Sequence, residues 1–544
     1  MSDGGSRRRK PINMKTLSNT LHQALAHHQA GELDAAKRLY QQILRMDPSH
    51  ADALHLIGVT AQQADRPQMA IDYIRRAIAV RPDAAEYHNN LAAALRADGR
   101  LQDAAECWRQ ALVINPLLGE AHYNLGITCR ELGDDETAIV CYRNALSVDS
   151  RNAEAHNNLG VILKEQSRLD EARECYESAL RICPDHAAAH NNLGIVLMER
   201  RELDAALGHF EQALALNPRY ADAHFNRALL WLLTESFRKG WPEFEWRWQS
   251  RLTPRLFSQP RWNGSTAADE TVLVYAEQGL GDEIMFASCV GDLLRQNVNC
   301  LVECDHRLVP LFTRSFPAAQ IVAKQNSDGS PSLIDGFHFD RQIPMGSLPD
   351  IFRRNSGSFP IQQSYLIPDP GRLQKWRARY AALGTGTVIG ISWRGGGTPE
   401  TERCRSIDLK HWQPLFSLPD RCFVNLQYGD YRREITAARS WFGITLHDWP
   451  DADPLSDLDE FAAQIAALDL VISVDNSTVH LAGALGTPVW TLLPTASDWR
   501  WGLRRTDSLW YRSMRLYRQS RQQEWTDEFT AVRQALLAGP NAPT

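Results

Sequence analysis

The sequence predicts an α-helical solenoid followed by an α/β region of two Rossmann-like lobes. In the first half of the 544-residue chain, several residue types recur at a fixed interval of 34 residues, which is the mark of a stacked helical repeat. In the second half, apolar stretches of strand length alternate with helical stretches. This alternation is typical of doubly wound domains with parallel sheets.

The repeat is carried by residues of different size that share one period. Small residues let two antiparallel helices come close, a bulky residue fills the next gap, and proline ends a helix. Six repeats are predicted, with a seventh first helix beginning near Ala221. Small residues recur at Gly58, Ala92, Gly126, Gly160, Gly194 and Ala228, and bulky ones at Tyr40, Ile74, Trp108, Tyr142, Tyr176 and Phe210.

Asparagine follows the same period. A carboxamide both donates and accepts hydrogen bonds, so a line of them along one surface can bind a peptide backbone without reading its side chains. In the alternative interpretation, these side chains only bridge adjacent helices and fix their stacking. We call this set the asparagine ladder; it consists of Asn90, Asn124, Asn158, Asn192 and Asn226.

These repeats resemble tetratricopeptide repeats (TPRs), and the predicted TPR superhelix spans residues 15–235 with about six and a half repeats. The NNLG runs at 157–160 and 191–194 are similar to repeats of protein O-linked N-acetylglucosamine transferases. In that family an asparagine ladder lines the groove and binds acceptor peptides. The resemblance implies that a protein acceptor binds the groove, and TPR arrays also offer a surface for homo-oligomer contacts.

From Trp231 the period fails, and aromatic and arginine residues become dense over 237–251. A solenoid needs a cap on its last repeat, and Trp and Arg are favoured at interfaces. We therefore expect residues 236–264 to form a capping helix and linker. The cap would also dock the last repeat on the domain that follows.

Composition excludes several classes of function. A net charge of −6 argues against a general nucleic-acid binder. The ten cysteines form no C-x-x-C pair and no set with zinc spacing, so no metal site is predicted. No run approaches a membrane span, and the basic start is followed by no apolar segment, so we expect a cytoplasmic protein. Residues 1–14 and 538–544 are predicted to be tails, the first disordered.

Polar side chains follow the predicted strands of the second half. Ser477 and Thr478 begin a helix directly after the strand at 469–475, and the amides and dipole of such a helix suit a phosphate. Arg394, Arg403 and Arg405 follow the strand at 387–393 and are candidate phosphate clamps. Asn425 and Gln427 end the strand at 422–427 and could read a nucleobase.

Two stretches of this half resemble metal-independent GT-B glycosyltransferases, especially the ADP-heptose:lipopolysaccharide heptosyltransferases. They are QGLGDEIMFAS (278–288) and ISVDNSTVHLAGALGTPVW (472–490). The resemblance implies an N-terminal lobe at 265–385, a donor-binding lobe at 386–537, and a nucleotide-sugar donor as co-substrate with no other cofactor. It also implies that Asp475, Asn476, Ser477 and His480 contact the donor and that the reaction is inverting.

The whole chain also resembles bacterial TPR–glycosyltransferase fusions, some of which glycosylate flagellin. The runs GWPEFEWRW (240–248) and DWRWGLRRTDSLWY (498–511) carry this resemblance.

An acceptor hydroxyl must lose its proton as it attacks, and a carboxylate is the usual base. Asp282 ends the glycine-rich turn after the strand at 271–276 and matches the heptosyltransferase position thought to hold that base. In the alternative interpretation Asp282 only caps the following helix. Gln278 is a neighbour that could orient the acceptor.

The function predicted from these observations is transfer of a sugar to Ser or Thr of a polypeptide, with flagellin as one candidate acceptor. Two alternatives stay open. One is a heptosyltransferase-like enzyme that acts on a saccharide or lipid-linked acceptor. The other is a non-catalytic TPR scaffold.

Overall fold

In this computed structural model, residues 14–265, 269–324, 333–397, 399–521 and 524–539 are described. The predicted tail at 1–14 lies outside the described residues except for Met14, and so do residues 540–544 of the predicted C-terminal tail. The first half of the chain is a series of helices in antiparallel pairs. They are α1 (Met14–Gln29), α2 (Leu33–Met46), α3 (Ala51–Gln63), α4 (Pro67–Val80), α5 (Ala85–Ala97), α6 (Leu101–Ile114), α7 (Gly119–Glu131), α8 (Asp135–Val148), α9 (Ala153–Glu165), α10 (Leu169–Ile182), α11 (Ala187–Glu199), α12 (Leu203–Leu216) and α13 (Ala221–Leu233).

The small and bulky periodic residues meet inside each helix pair, as the sequence predicts. A β-carbon added at Gly160 of α9 would lie 2.7 Å from the ring of Tyr176 on α10. One added at Gly194 of α11 would lie 2.6 Å from the ring of Phe210 on α12. Both rings are fully buried. These two pairs, and the α7–α8 pair in which Gly126 faces Tyr142, are therefore closed by an aromatic ring seated on a glycine.

The chain divides into two compact units, residues 1–192 and 193–544. The division falls within α11, so α12 and α13 belong with the second unit. A contact of Arg201, in the turn between α11 and α12, joins these helices to the α/β part of the second unit. Its Nε donates to the carbonyl oxygen of Thr495 at 3.1 Å. The repeat array predicted over 15–235 thus contributes its last helices to the second unit.

Two short helices, α14 (Phe237–Phe244) and α15 (Arg247–Ser250), follow the last repeat helix. The indole of Trp241 on α14 is buried and meets the rings of Trp499 and Trp510 edge-on, at centroid distances of 5.4 and 6.5 Å. Its Nε1 donates to the carbonyl oxygen of Arg353 at 2.8 Å. These helices therefore end the array against the α/β part of the second unit.

The described part of the second unit contains two parallel sheets. The first has four strands in the order β3-β2-β1-β4, and the second has six in the order β10-β9-β8-β5-β6-β7. In the central pairs, Leu273 is opposite Leu301 and Ile389 is opposite Leu470. The strands are β1 (Thr271–Tyr275), β2 (Asn299–Cys304), β3 (Gln320–Ala323), β4 (Arg341–Pro344), β5 (Thr387–Ser392), β6 (Arg421–Asn425), β7 (Leu446–His447), β8 (Leu470–Val474), β9 (Val489–Leu493) and β10 (Met514–Arg518).

The two sheets confirm the prediction of an α/β region of two Rossmann-like lobes. The strands predicted at 271–276, 387–393, 422–427 and 469–475 are β1, β5, β6 and β8, and the apolar runs at 300–305 and 488–494 likewise predict β2 and β9. Strands β3, β4, β7 and β10 were not predicted, because they are short or carry polar side chains between the apolar ones. The helices of this region are α16 (Leu280–Phe286), α17 (Val290–Arg295), α18 (Val309–Ser315), α19 (Pro349–Phe352), α20 (Pro370–Ala381), α21 (Pro399–Arg405), α22 (Gln413–Phe416), α23 (Arg432–Phe442), α24 (Leu458–Ala466), α25 (Ser477–Leu485) and α26 (Thr526–Ala538).

Across the described ranges, no helix is both long and apolar enough to cross a membrane. All ten cysteines are free thiols, and only Cys404 is exposed.

The aromatic-on-glycine closure can be tested with one substitution made at two places in the same helix pair. Gly194→Ala should lower the free energy of unfolding by about 1–3 kcal/mol, because the new methyl group overlaps the Phe210 ring. Gly208→Ala, on the exposed side of α12 with nothing within 4 Å of the added carbon, should raise it by about 0.5–1 kcal/mol. Urea unfolding followed by tryptophan fluorescence measures both. Equal effects at the two glycines would contradict the closure.

Candidate functional site

A cavity of about 480 Å³ lies at the carboxyl edges of both sheets. In doubly wound domains ligands bind at this edge, where the strand order reverses. The cavity is lined by the segments after β1, β5, β6, β7, β8 and β9 and by one side chain that follows β2. Its lining residues are Gly279, Leu280, Gly281, Asp282, Arg307, Gly396, Gly397, Arg405, Tyr428, Pro454, Leu455, Asp475, Asn476, Ser477, His480 and Arg500.

Asp282 lies in the first turn of α16, on the side of the cavity formed by the first sheet. Gly279 is the N-cap of this helix, and the main-chain N–H of Asp282 donates to the carbonyl oxygen of Gly279 at 3.0 Å. Asp282 is therefore not the N-cap. Its carboxylate instead accepts from Nε of Arg500 at 3.0 Å, and Nη2 of Arg500 binds the same oxygen.

Arg500 belongs to a network of alternating charges at the edge of the second sheet. Its Nη1 also lies 2.6 Å from Oδ1 of Asp498. Asp498 in turn binds Nη2 of Arg405 at 3.2 Å, and Nε of Arg405 lies 3.5 Å from Oδ2 of Asp475. Three carboxylates and two guanidinium groups are thus joined from one lobe to the other.

Burial and charge oppose each other in this network. Burial alone would lower the pKa of Arg500, but the carboxylates of Asp282 and Asp498 outweigh it and raise that pKa. Burial raises the pKa of Asp475, and the nearby Arg405 only partly offsets the rise. For Asp498, Arg500 and Arg405 prevail over burial and hold the pKa below its usual value. Arg500 therefore stays cationic at this edge.

His480 lies on α25 behind the charged network. Its Nδ1 is 2.9 Å from the hydroxyl of Tyr511, and its ring stacks on Trp501 with centroids 5.1 Å apart. A β-carbon at Gly281 would lie 3.0 Å from the imidazole, so the glycine-rich turn passes directly over this ring. Burial, followed by the charge of Arg500, lowers the pKa of His480 to about 3. The imidazole is therefore neutral near pH 7.

The N-terminus of α25 faces the cavity through Ser477, whose Oγ is 3.3 Å from the hydroxyl of Tyr428. Asn476 caps the helix by accepting from the main-chain N–H of Thr478 at 3.0 Å. Its amide nitrogen donates to Oγ of Ser392 at 2.8 Å. Asn476 thus ties the start of α25 to the end of β5. Thr478 is buried and does not line the cavity.

Besides Thr478, four of the predicted donor-binding residues lie outside the cavity lining. Nη2 of Arg394 donates to the carbonyl oxygen of Asp430 at 2.6 Å, and Arg403 lies on α21. The Oε1 of Gln427 accepts from the main-chain N–H of Arg394 at 2.8 Å. Nδ2 of Asn425 donates to Oδ1 of Asp448 at 2.8 Å, and its Oδ1 accepts from the main-chain N–H of Gln427 at 2.9 Å. These buried amides connect loops, and their reading of a nucleobase stays a prediction.

Gln278, predicted on the acceptor side, also lies outside the cavity lining. Its Nε2 donates to Oε1 of the buried Glu277 at 3.1 Å.

Three side chains of the asparagine ladder form hydrogen bonds between successive repeats of the first unit. Nδ2 of Asn192 donates to Oδ1 of Asn157 at 3.0 Å, and Nδ2 of Asn158 donates to the hydroxyl of Tyr123 at 3.3 Å. Nδ2 of Asn90 is hydrogen-bonded to Nε2 of His55 at 2.8 Å. In the remaining two rungs, Asn124 is half-buried and Asn226 is buried. The bridging interpretation therefore has direct support, and binding of a peptide stays a prediction.

Four residues that line the cavity or hold its lining side chains in place were not predicted from the sequence. Asp498 and Arg500 are in the run DWRWG (498–502), which carried a resemblance but was assigned no chemistry. In this run the acidic and the basic residue alternate with tryptophans, a pattern that indicates charged side chains buried among aromatic rings. Arg307 and Tyr428 follow β2 and β6 and are marked by no motif. Among the described residues, no group of three or more His, Cys, Asp or Glu side chains is placed to hold a metal ion.

Comparison with known families gives one kind of match for the helical repeats and another for the α/β part of the chain. Residues 21–85, 85–118, 128–167 and 151–219 match tetratricopeptide repeat families. Residues 454–527 match glycosyltransferase family 9 (heptosyltransferase). The chain combines TPRs with a glycosyltransferase family 9 segment. This segment contains Asp475, His480 and Arg500.

One curated relative is Protein FlbA of Caulobacter vibrioides, which is 32% identical over 328 residues. The match covers 57% of this chain and 54% of FlbA, so the chain spans about half the length of that relative. Solved structures similar to part of the chain include pilF of Pseudomonas aeruginosa, at 20% identity over 39% of this chain and 97% of that one, with a TM-score of 0.37. Another is YrrB, described as a TPR protein with an unusual peptide-binding site, at 18% identity over 34% of this chain and 95% of that one, with a TM-score of 0.31.

The buried imidazole makes stability depend on pH. The unfolded chain protonates His480 near its usual pKa of 6.5, whereas the folded chain resists protonation down to about 3. As pH falls from 6.5 towards 3, this residue should therefore lower the free energy of unfolding by up to about 1.4 kcal/mol per pH unit. His480→Asn should flatten that part of the curve, because asparagine does not titrate.

Urea unfolding at several pH values measures this effect. Tryptophan fluorescence suits it, since every tryptophan except Trp108 follows residue 193. Tyr511→Phe is the matched control, because it removes the hydroxyl partner and keeps the titrating ring, so its slope should stay close to that of the wild type. A His480→Asn slope equal to the wild-type slope would show that the imidazole does not carry the dependence.

Proposed function

We propose that this chain is a glycosyltransferase that moves a sugar from a nucleotide-sugar donor to a Ser or Thr hydroxyl of a polypeptide bound by its repeats. The observation that carries the proposal is the cavity between the sheet edges. One wall presents the carboxylate of Asp282, and the other presents Arg405, Arg500 and the N-terminus of α25. A base and an anion site thus face the same space.

The second wall suits a phosphate leaving group. Arg405 is paired with Asp475 and Asp498, and Arg500 is paired with Asp498 and Asp282. Guanidinium groups bind phosphate in bidentate fashion, and free amides at the start of a helix bind anions. Cations fixed beforehand stabilise the charge that develops as the leaving group departs. No metal is required in this scheme.

The first wall suits removal of a proton. The acceptor oxygen attacks the anomeric carbon as the bond from that carbon to the phosphate oxygen breaks. The phosphate leaves with the electron pair of that bond, and the acceptor proton passes to the Asp282 carboxylate. A single displacement of this kind inverts the anomeric centre. The neutral imidazole of His480 lines the same cavity without adding a positive charge.

The repeats support a polypeptide as the acceptor, because TPR arrays bind extended peptides in their groove. The second candidate is a saccharide or lipid-linked acceptor. It is favoured by the matched segment at 454–527, since that family is described as heptosyltransferase. The sugar itself stays open among heptose, N-acetylhexosamine and nonulosonate.

The proposal is tested by the mass of the acceptor. Proteins that co-purify with the wild-type chain should carry a sugar mass that is absent in cells with Asp282→Ala. With purified components, Asp282→Asn should lower turnover about 10²–10⁴-fold, because it removes the base, while donor affinity by calorimetry stays within a few-fold.

Asp350→Asn is the control, since this carboxylate lies on α19 outside the cavity lining. Unchanged turnover in Asp282→Asn would reject the base assignment. Sugar transfer to a lipid-linked glycan and never to protein would reject the polypeptide acceptor.

The two interpretations of the asparagine ladder predict different results for one double substitution. If the ladder binds the acceptor, Asn158→Ala with Asn192→Ala should raise KM for the protein acceptor by about tenfold, through lost hydrogen bonds to its backbone. Hydrolysis of the donor should not change. If the ladder only bridges helices, Tm should fall with KM unchanged. Asn144→Ala, on the exposed face of α8, is the matched control for both measurements.

A further inference from the structure

A buried guanidinium lies at the junction between the repeats and the α/β part of the second unit. Arg247 begins α15, and its side chain is only 1% exposed. Its Nη1 donates to Oε1 of Glu245 at 2.8 Å, and its Nη2 donates to Oε1 of Glu277 at 3.0 Å and to Oγ of Ser347 at 2.8 Å. The aromatic rings of Phe244 and Trp248 lie beside the guanidinium, 4.9 and 4.8 Å from its carbon. A cation buried to this degree requires such partners.

Glu277 is the partner that leads to the site. It lies two residues after the end of β1, and its side chain is 4% exposed. Besides Arg247, its carboxylate binds Nε2 of Gln278 at 3.1 Å and the main-chain N–H of Gly346 at 3.1 Å. A β-carbon at Gly346 would lie 2.4 Å from Oε1 of Glu277, so glycine is required for this approach. The carboxylate is thus fixed on three sides.

We propose that Arg247 is a positioning residue for the turn that carries Asp282, an inference that rests on the proposed function. The turn at 277–282 is held at its start by Arg247 through Glu277. At its end it is held by Arg500 through Asp282. A base displaced by about 1 Å can cost a hundredfold in rate, so both attachments bear on the chemistry.

The proposal gives the end of the repeat array a part in the transferase site. The ring of His224 on α13 stacks on Trp246, directly before Arg247, with centroids 4.0 Å apart. Nε of Arg227, also on α13, lies 2.9 Å from Oε2 of Glu243 on α14. The last repeat helix therefore supports the segment that supplies the guanidinium.

A purely structural role does not account for an ion pair at this position. Buried ion pairs are often no more stabilising than apolar side chains of the same volume, because both charges lose their hydration. An arginine adds fixed geometry here, because its planar guanidinium binds the hydroxyl of Ser347 and the carboxylates of Glu245 and Glu277 at the same time. Lysine would keep the charge and lose the fork, which makes Arg247→Lys the informative substitution.

The test compares Arg247→Lys with Arg353→Lys. Arg353 is 2% exposed in the same lobe, and it binds Asp292 and the carbonyl oxygens of Ser288 and Ser358 rather than the turn. In Arg247→Lys, kcat should fall about tenfold while KM for the donor changes less than twofold, because the donor contacts are on the other wall. Adding Arg247→Lys to Asp282→Asn should cost nothing further, since the base is already absent.

Equal losses of kcat in the two lysine variants, or no loss in Arg247→Lys, would overturn the proposal. Hydrogen exchange gives a readout that needs no activity. Amides at 277–286 should exchange about tenfold faster in Arg247→Lys than in Arg353→Lys, because the start of the turn is released. If the wild type transfers no sugar, the proposed function fails, while the exchange result still decides whether Arg247 holds the turn. Unchanged exchange would reject that role even in an active enzyme.

Discussion

The ion pair between Asp282 and Arg500 is the interaction on which the rest of the site depends. It joins the glycine-rich turn after β1 to the segment after β9, so it links the two lobes across the cavity. Because both side chains are largely buried, removing either partner would leave an unpaired charge at a cost of about 3–5 kcal/mol. The pair therefore holds the two walls together, and a ligand that enters must share Arg500 with Asp282.

The charges around this pair are arranged so that the arginines can bind an anion while each carboxylate keeps a cationic partner. Asp498 holds both Arg500 and Arg405, and Asp475 lies behind Arg405. Each guanidinium has several donors, so it can turn one edge to a phosphate while keeping a carboxylate on another. The neutral His480 adds no competing cation. The network is in this sense already organised for an anionic ligand before one binds.

The sequence was sufficient for the architecture because each part has a local signal. The 34-residue period and the small-on-bulky pairing are properties of neighbouring helices, and buried parallel strands appear as continuous apolar runs. The site was only partly predictable. Asp282 and Ser477 follow strands and could be found, whereas Arg500 binds Asp282 from 218 residues away, a distance that no motif spans. The ladder asparagines could not be assigned either, since a periodic amide looks the same whether it binds a peptide or the next helix.

The aromatic cap explains how the end of the repeat array is joined to the α/β part of the second unit. An ordinary TPR end exposes the apolar face of its last helix, which must be covered. Here the cover is α14 and α15, and Trp241 seats it on Trp499, the residue directly before Arg500. At its other end the same cover places Arg247 on Glu277, at the start of the turn that ends in Asp282. One short segment therefore contacts the residue before Arg500 and the start of the turn that ends in Asp282, the two partners of the ion pair between the lobes. Removing the repeats would uncover this segment, so the α/β part is not expected to keep the geometry of its cavity when the chain is cut at the end of α13.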